Sequence, residues 1–130
     1  MTAEKDVIRT DRAPGPFQGA PYNQAIRVGD LVFVAGQLGI SLETGGLAGA
    51  GVAEQTEQIM ANLGAILEAA GSGLDRLVKT TVFLMDLEDF TAMNEVYARH
   101  VGDRPPARST VQISGLPSGA LVEIEAVAHV

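Results

Sequence analysis

The chain has 130 residues, 46% hydrophobic and 19% charged, with a formal net charge of −7 and no cysteine. That is the size and composition of one globular domain spanning residues 1–130, able to bury about two-thirds of its surface without covalent staples. The absent cysteines exclude disulfides, thiolate nucleophiles and thiolate metal ligands, and the excess of acid disfavours a nucleic-acid partner, whose phosphates need neutralising cations.

His100 and His129 are too few and too poorly spaced for a metal site. No apolar stretch approaches the ~20 residues of a membrane span. The opening Met1–Asp6 lacks the charged-then-apolar order of a signal peptide. The expectation is a cytoplasmic protein without metal, membrane or nucleic-acid partner.

In chain order, Val7-Ile8 suggests a weak edge strand. Prolines and glycines between Ala13 and Tyr22 break any regular element. Two short apolar runs follow, 25–28 and 31–36, joined by Gly29-Asp30, a two-residue hairpin signal. Residues 43–51 are glycine-rich and read as a mobile loop. From Val52 to Ala70 the apolar residues Val52, Ile59, Met60, Leu63, Ile66, Leu67 and Ala70 follow the three-four spacing of one helix face. Gly71 suits the left-handed stop.

The segment 74–84 is β-branched and reads as a strand. Asp86 reads as the N-cap of a second helix with the stripe Phe90, Met93, Val96 and Tyr97, ending before Gly102 and Pro105-Pro106. Strands at about 107–113 and 121–130 close the chain. This order predicts an α+β sheet with both helices on one face.

Side chains alternate faces along a strand. Arg108, Thr110 and Gln112 share one side of the first terminal strand, with Ser109, Val111 and Ile113 on the other. Val122, Ile124, Ala126 and Ala128 share one side of the second, with Leu121, Glu123, Glu125, Val127 and His129 opposite. The expectation is an apolar side receiving the helices and a polar side carrying Arg108, Glu123 and Glu125 together. The plain reading is a solvated face with cross-strand ion pairs. The chemical reading pairs an arginine fork that grips a carboxylate with a glutamate that activates water, which suits hydrolysis of a small carboxylate substrate. Periodicity alone does not establish that the two groups meet.

Several strings in order carry a family resemblance. They are Pro21-Tyr22-Asn23-Gln24-Ala25, the run 28–37 (VGDLVFVAGQ), the run 79–84 (KTTVFL), Asp89-Phe90, Asn94-Glu95-Val96-Tyr97, Pro106-Ala107-Arg108-Ser109 and Val122-Glu123-Ile124-Glu125-Ala126. From about Pro21 to Ala128 the chain resembles the RidA (YjgF-type) proteins. The resemblance implies a chorismate-mutase-like fold with a mixed six-stranded sheet and two helices on one face. It also implies a homotrimer with clefts between subunits and no cofactor. The implied activity is that of a 2-iminobutanoate/2-iminopropanoate deaminase, hydrolysing 2-enamino and 2-imino acids to 2-oxo acids and ammonium.

By the same resemblance, Arg108 binds the substrate carboxylate, Glu123 holds the attacking water, and Tyr22, Asn94, Gly36 and Thr110 line the cleft. Thr110 stands where relatives often have cysteine, Ala35 where they often have serine, and Ala20 where glycine is frequent, so substrate range is less determined than reaction type. The alternative is a binding or regulatory protein that holds a 2-oxo acid without turnover. Tyr22 also fits plain interface packing, Asn94 a structural bond to backbone, Glu125 a salt bridge, and His129 a structural role. An RNA-directed activity, which some relatives are labelled with, fits poorly with the charge.

Overall fold

The computed structural model describes residues 4–130; residues 1–3, part of the leader reading above, lie outside the described residues. Six strands run β1 (Lys5–Ile8), β2 (Ala25–Val28), β3 (Leu31–Leu38), β4 (Leu77–Leu84), β5 (Ala107–Gln112) and β6 (Val122–His129), with α1 (Val52–Ala69) after β3 and α2 (Phe90–Val101) after β4. They form one sheet in the order β1-β2-β3-β6-β4-β5. Among the described residues the only parallel neighbours are β4 and β5, joined through α2 as a crossover requires; every other pair is antiparallel. The expected mixed six-stranded α+β sheet is therefore present.

Local signals act where the sequence places them. Gly29, at φ 58°, makes the turn between β2 and β3. At the end of α1, Gly71 adopts φ 83° and its N–H bonds the Glu68 carbonyl, while the Ser72 N–H bonds that of Leu67. This pair of bonds satisfies carbonyls the helix leaves open. Two boundaries differ from expectation. Residues Leu74–Arg76 form a 3-10 turn before β4. Asp86 caps a second 3-10 turn, accepting the Glu88 N–H at 2.9 Å, and α2 begins only at Phe90. The short Asp86 side chain favours the tight turn because it competes for a nearby N–H group.

Both helices lie on one side of the sheet. Ile59, Met60, Leu63, Ile66 and Leu67 of α1 and Met93 and Tyr97 of α2 are buried with Val32, Val34, Val82, Leu84, Val122, Ile124 and Ala126. Each such aliphatic side chain contributes about 1.5–3 kcal/mol on burial, which fixes the register of every strand that offers one face. Among the described residues no helix covers the opposite side of the sheet. That side leaves Phe33 46%, Leu31 42% and Val111 41% exposed.

Register corrects the expectation for Arg108. Thr80 pairs with Ala126 in β6 and with Arg108 in β5. Thr80 and Ala126 are buried under the helices, so Arg108, Thr110 and Gln112 lie on the helix side. Glu123 and Glu125 alternate with the buried Val122, Ile124 and Ala126 and point to the open side. Within one chain Arg108 and Glu123 therefore occupy opposite faces. The expectation failed because β5 is an edge strand, where α2 covers the helix side only in part and polar groups are tolerated. The apolar member Val111 goes instead to an open face that is itself partly apolar.

Candidate functional site

The first half of the site is built on a bulge. Between β3 and β6 the pairs Val34–Ala126 and Gln37–Ile124 show three steps along β3 against two along β6. One extra residue at 35–36 bends the strand and re-aims its neighbours, the usual use of a bulge. Gly36 lies there, and the Glu123 side chain from β6 lies across it. A methyl group at position 36 would stand 2.8 Å from Glu123 Cδ, 3.0 Å from Oε1 and 3.1 Å from Cγ. Gly36 is thus the seat of the glutamate. Burial raises the Glu123 carboxyl above its ordinary 4.5, and the nearby charge of Glu125 adds to the rise.

Glu123 lines a cavity of about 480 Å³ with Tyr22, Phe17, Gln37, Leu47 and Ser118 among its walls. Each wall is held by buried amides. Gln24, 3% exposed, accepts the Thr10 N–H at 2.7 Å and donates to the carbonyls of Thr10, Ala13 and Pro14, fixing the proline-rich segment. The Tyr22 hydroxyl accepts the Phe17 N–H at 2.6 Å, so the phenol ties down the loop it faces. Across the cavity, Gln55 of α1 donates to the Gly49 carbonyl at 3.0 Å and accepts the Leu121 N–H at 2.8 Å. Asn62 donates to the Ile40 carbonyl at 3.0 Å. The glycine-rich loop is further organised by an Ile40–Leu47 bridge. Gln18 and Ser118, at φ 52° and 60°, are the non-glycine residues with positive φ among the described residues, and both line this cavity.

The second half lies at the β5 edge. A cavity of about 370 Å³ is lined by Arg108, Asn94, Tyr97, Pro105 and Pro106. The Arg108 guanidinium carbon stands 4.9 Å from the Tyr97 ring centroid and 5.5 Å from that of Phe90. Among the described residues its guanidinium enters no ion pair; the pairs formed are Arg12–Glu68 and His100–Glu57. Asn94 Oδ1 is buried without a hydrogen-bond partner, an uncommon state for such an atom.

Of the six residues singled out from sequence, Tyr22, Gly36 and Glu123 come together in the larger cavity, and Arg108 and Asn94 in the smaller. Thr110 shares the Arg108 face, opposite Val82, but lines neither cavity. Sequence reasoning missed Gln37, Phe17 and Ser118 as wall residues. It read Phe90 and Tyr97 only as an apolar stripe, although a buried tyrosine signals a hydroxyl that needs a partner. Among the described residues no group of three or more His, Asp or Glu side chains gathers as for a metal ion. No described helix is long and apolar enough to cross a membrane.

The α+β chain thus carries, on opposite faces of one sheet, an edge arginine without an ion-pair partner among the described residues and a half-buried carboxylate lying across the β3 bulge. The chain belongs to the YjgF/RidA family: the family model described as endoribonuclease L-PSP matches residues 12–130. It is 49% identical over 96% of its length to a RutC family protein of Pyrococcus abyssi, covering 97% of that protein. A human protein named 2-iminobutanoate/2-iminopropanoate deaminase is 43% identical over 94% of this chain and 88% of that one. The crystal structure of Escherichia coli TdcF with bound serine superposes with a TM-score of 0.88 at 39% identity, covering 96% of this chain and 98% of that one.

Proposed function

We propose that this chain, a single domain, hydrolyses 2-imino and 2-enamino acids of three or four carbons to 2-oxo acids and ammonium, in a homotrimer whose sites lie between subunits. The observation that carries the reading is the Gly36 seat, which holds a half-buried glutamate of raised pKa against an open cavity. Arg108, without a carboxylate partner among the described residues, supplies the complementary cation. Because the two lie on opposite faces of one sheet, a second copy must bring its own half to complete the cleft. The exposed Phe33, Leu31 and Val111 give the open face the apolar character of a subunit interface.

In this mechanism Arg108 takes the substrate carboxylate in two parallel hydrogen bonds. Glu123 accepts a proton from a water as its oxygen attacks the imine carbon. Glu123 returns that proton to nitrogen, giving the carbinolamine; it then carries the hydroxyl proton to nitrogen as the carbon–nitrogen bond breaks, and ammonia leaves with a 2-oxo acid behind. A carboxyl whose pKa is raised by burial takes up and returns the proton more evenly than an ordinary one, and such assistance is worth about 10²–10⁴-fold. Asn94 and Tyr22 line the two halves of the cleft, and Thr110 shares the Arg108 face beside it. The names of the human relative and of the serine-bound structure agree in pointing to small amino-acid-like carboxylates. The family's nuclease description fits this chain less well, because a net charge of −7 repels phosphates.

The test generates an imine from an amino acid with an oxidase and traps it with semicarbazide. The protein should speed the loss of trappable imine, and Arg108→Ala should abolish the effect. No acceleration with alanine- or 2-aminobutyrate-derived imine would reject the deaminase. Calorimetric binding of 2-oxobutyrate that depends on Arg108 but brings no turnover would instead establish the non-catalytic binder.

A further inference from the structure

Arg108 sits on an edge strand with no acid among the described residues to hold it, yet a carboxylate clamp works only if its fork is aimed. Phe90 and Tyr97 lie seven residues apart on α2, two turns along one face, and both rings approach the guanidinium. Tyr97 is 5% exposed and Thr80 0%. Their hydroxyls meet at 2.6 Å. Thr80 is also the direct β4 partner of Arg108 in β5. Strand, helix and guanidinium thus form a closed triangle: Thr80 fixes the phenol, the phenol ring backs the guanidinium, and the guanidinium springs from the residue beside Thr80. A core needing only to be filled would favour phenylalanine and valine, since two buried hydroxyls must be satisfied by each other to be tolerated.

We infer that Tyr97, pinned by Thr80, is a positioning residue that orients the Arg108 fork toward the substrate carboxylate. The inference rests on the carboxylate-binding role proposed for Arg108. It adds the device that holds the arginine ready. Burial raises the phenol above its ordinary 10.0, against smaller opposing pulls from Thr80 and Arg108.

The experiment compares binding of 2-oxobutyrate with that of its neutral amide, together with KM and kcat for the alanine-derived imine. Tyr97→Phe keeps the ring and loses the pin. It should weaken the acid by about 3–10-fold, the usual worth of one hydrogen bond, raise KM by the same factor, and leave kcat and the amide unchanged. Thr80→Val should do the same, Thr80→Ser should restore the acid, and the double variant should be no worse than either single one. Equal losses for acid and amide, or a fall in kcat without a rise in KM, would mean a merely structural role and overturn the inference. If wild type binds 2-oxobutyrate, Arg108→Ala does not, and Tyr97→Phe matches wild type, this inference alone fails. If wild type does not bind 2-oxobutyrate at all, the carboxylate-binding reading fails and takes this one with it.

Discussion

Replacing Gly36 by alanine isolates the seat of Glu123. The new methyl would stand 2.8 Å from Glu123 Cδ and 3.0 Å from Oε1, whereas ordinary contact begins at 3.4 Å. The carboxylate must therefore retreat by about 0.6 Å, a small rearrangement because the obstacle is a flexible side chain rather than backbone. The stability loss should be about 1 kcal/mol, or roughly 3–5 °C in Tm for a domain of this size. The activity loss should be disproportionate, because displacing a catalytic group by about 1 Å costs on the order of 10²-fold; about 10–100-fold in kcat/KM is expected here. Calorimetry and the semicarbazide assay measure the two quantities on one preparation. Deamination at the wild-type rate would show that the glutamate need not rest on Gly36, and would refute the reasoning.

Gly39→Ala is the structural contrast: its methyl would meet the Gln55 carbonyl oxygen at 2.7 Å and Cα at 2.8 Å, backbone that cannot swing aside. A loss of about 3 kcal/mol is expected, read as a Tm fall of roughly 10 °C. Glu123→Gln should remove activity and raise stability at neutral pH. Folding raises this carboxyl above 4.5, so the native state binds the proton more tightly and stability is lost as pH climbs from the unfolded value through the folded one. The glutamine gains on wild type only above that window. Tm measured from pH 4 to pH 7 should show the gain at 7 and none at 4, and a constant difference would contradict the burial argument.

Much of the fold was legible because periodicity is a direct image of burial. The α1 stripe, the Gly29-Asp30 turn and the Gly71 stop all stand where the residues imply. What was illegible has one physical origin. Alternation divides a strand into two sets but does not say which set faces the helices when both faces of the sheet are partly apolar. Val111 and Ile113 therefore looked like core, and Arg108 was placed with Glu123. The bulge at 35–36 was hidden too, since Gly36 reads equally as the end of a strand or the extra residue within one. Glu123, Gly36 and Tyr22 are far apart in sequence, and only the family strings drew them together. The Thr80–Tyr97 pair left a fainter signal, two hydroxyls on faces that otherwise bury carbon.

The central claim is that one site takes Arg108 from one subunit and Glu123 from another. Arg108→Ala and Glu123→Gln proteins, each inactive alone, are unfolded together and refolded in equal amounts into mixed oligomers. Random assembly into a cyclic trimer leaves about a quarter of the sites with both residues intact, so about a quarter of wild-type deamination should return. Mixed oligomers verified by mass that stay inactive would contradict the shared site.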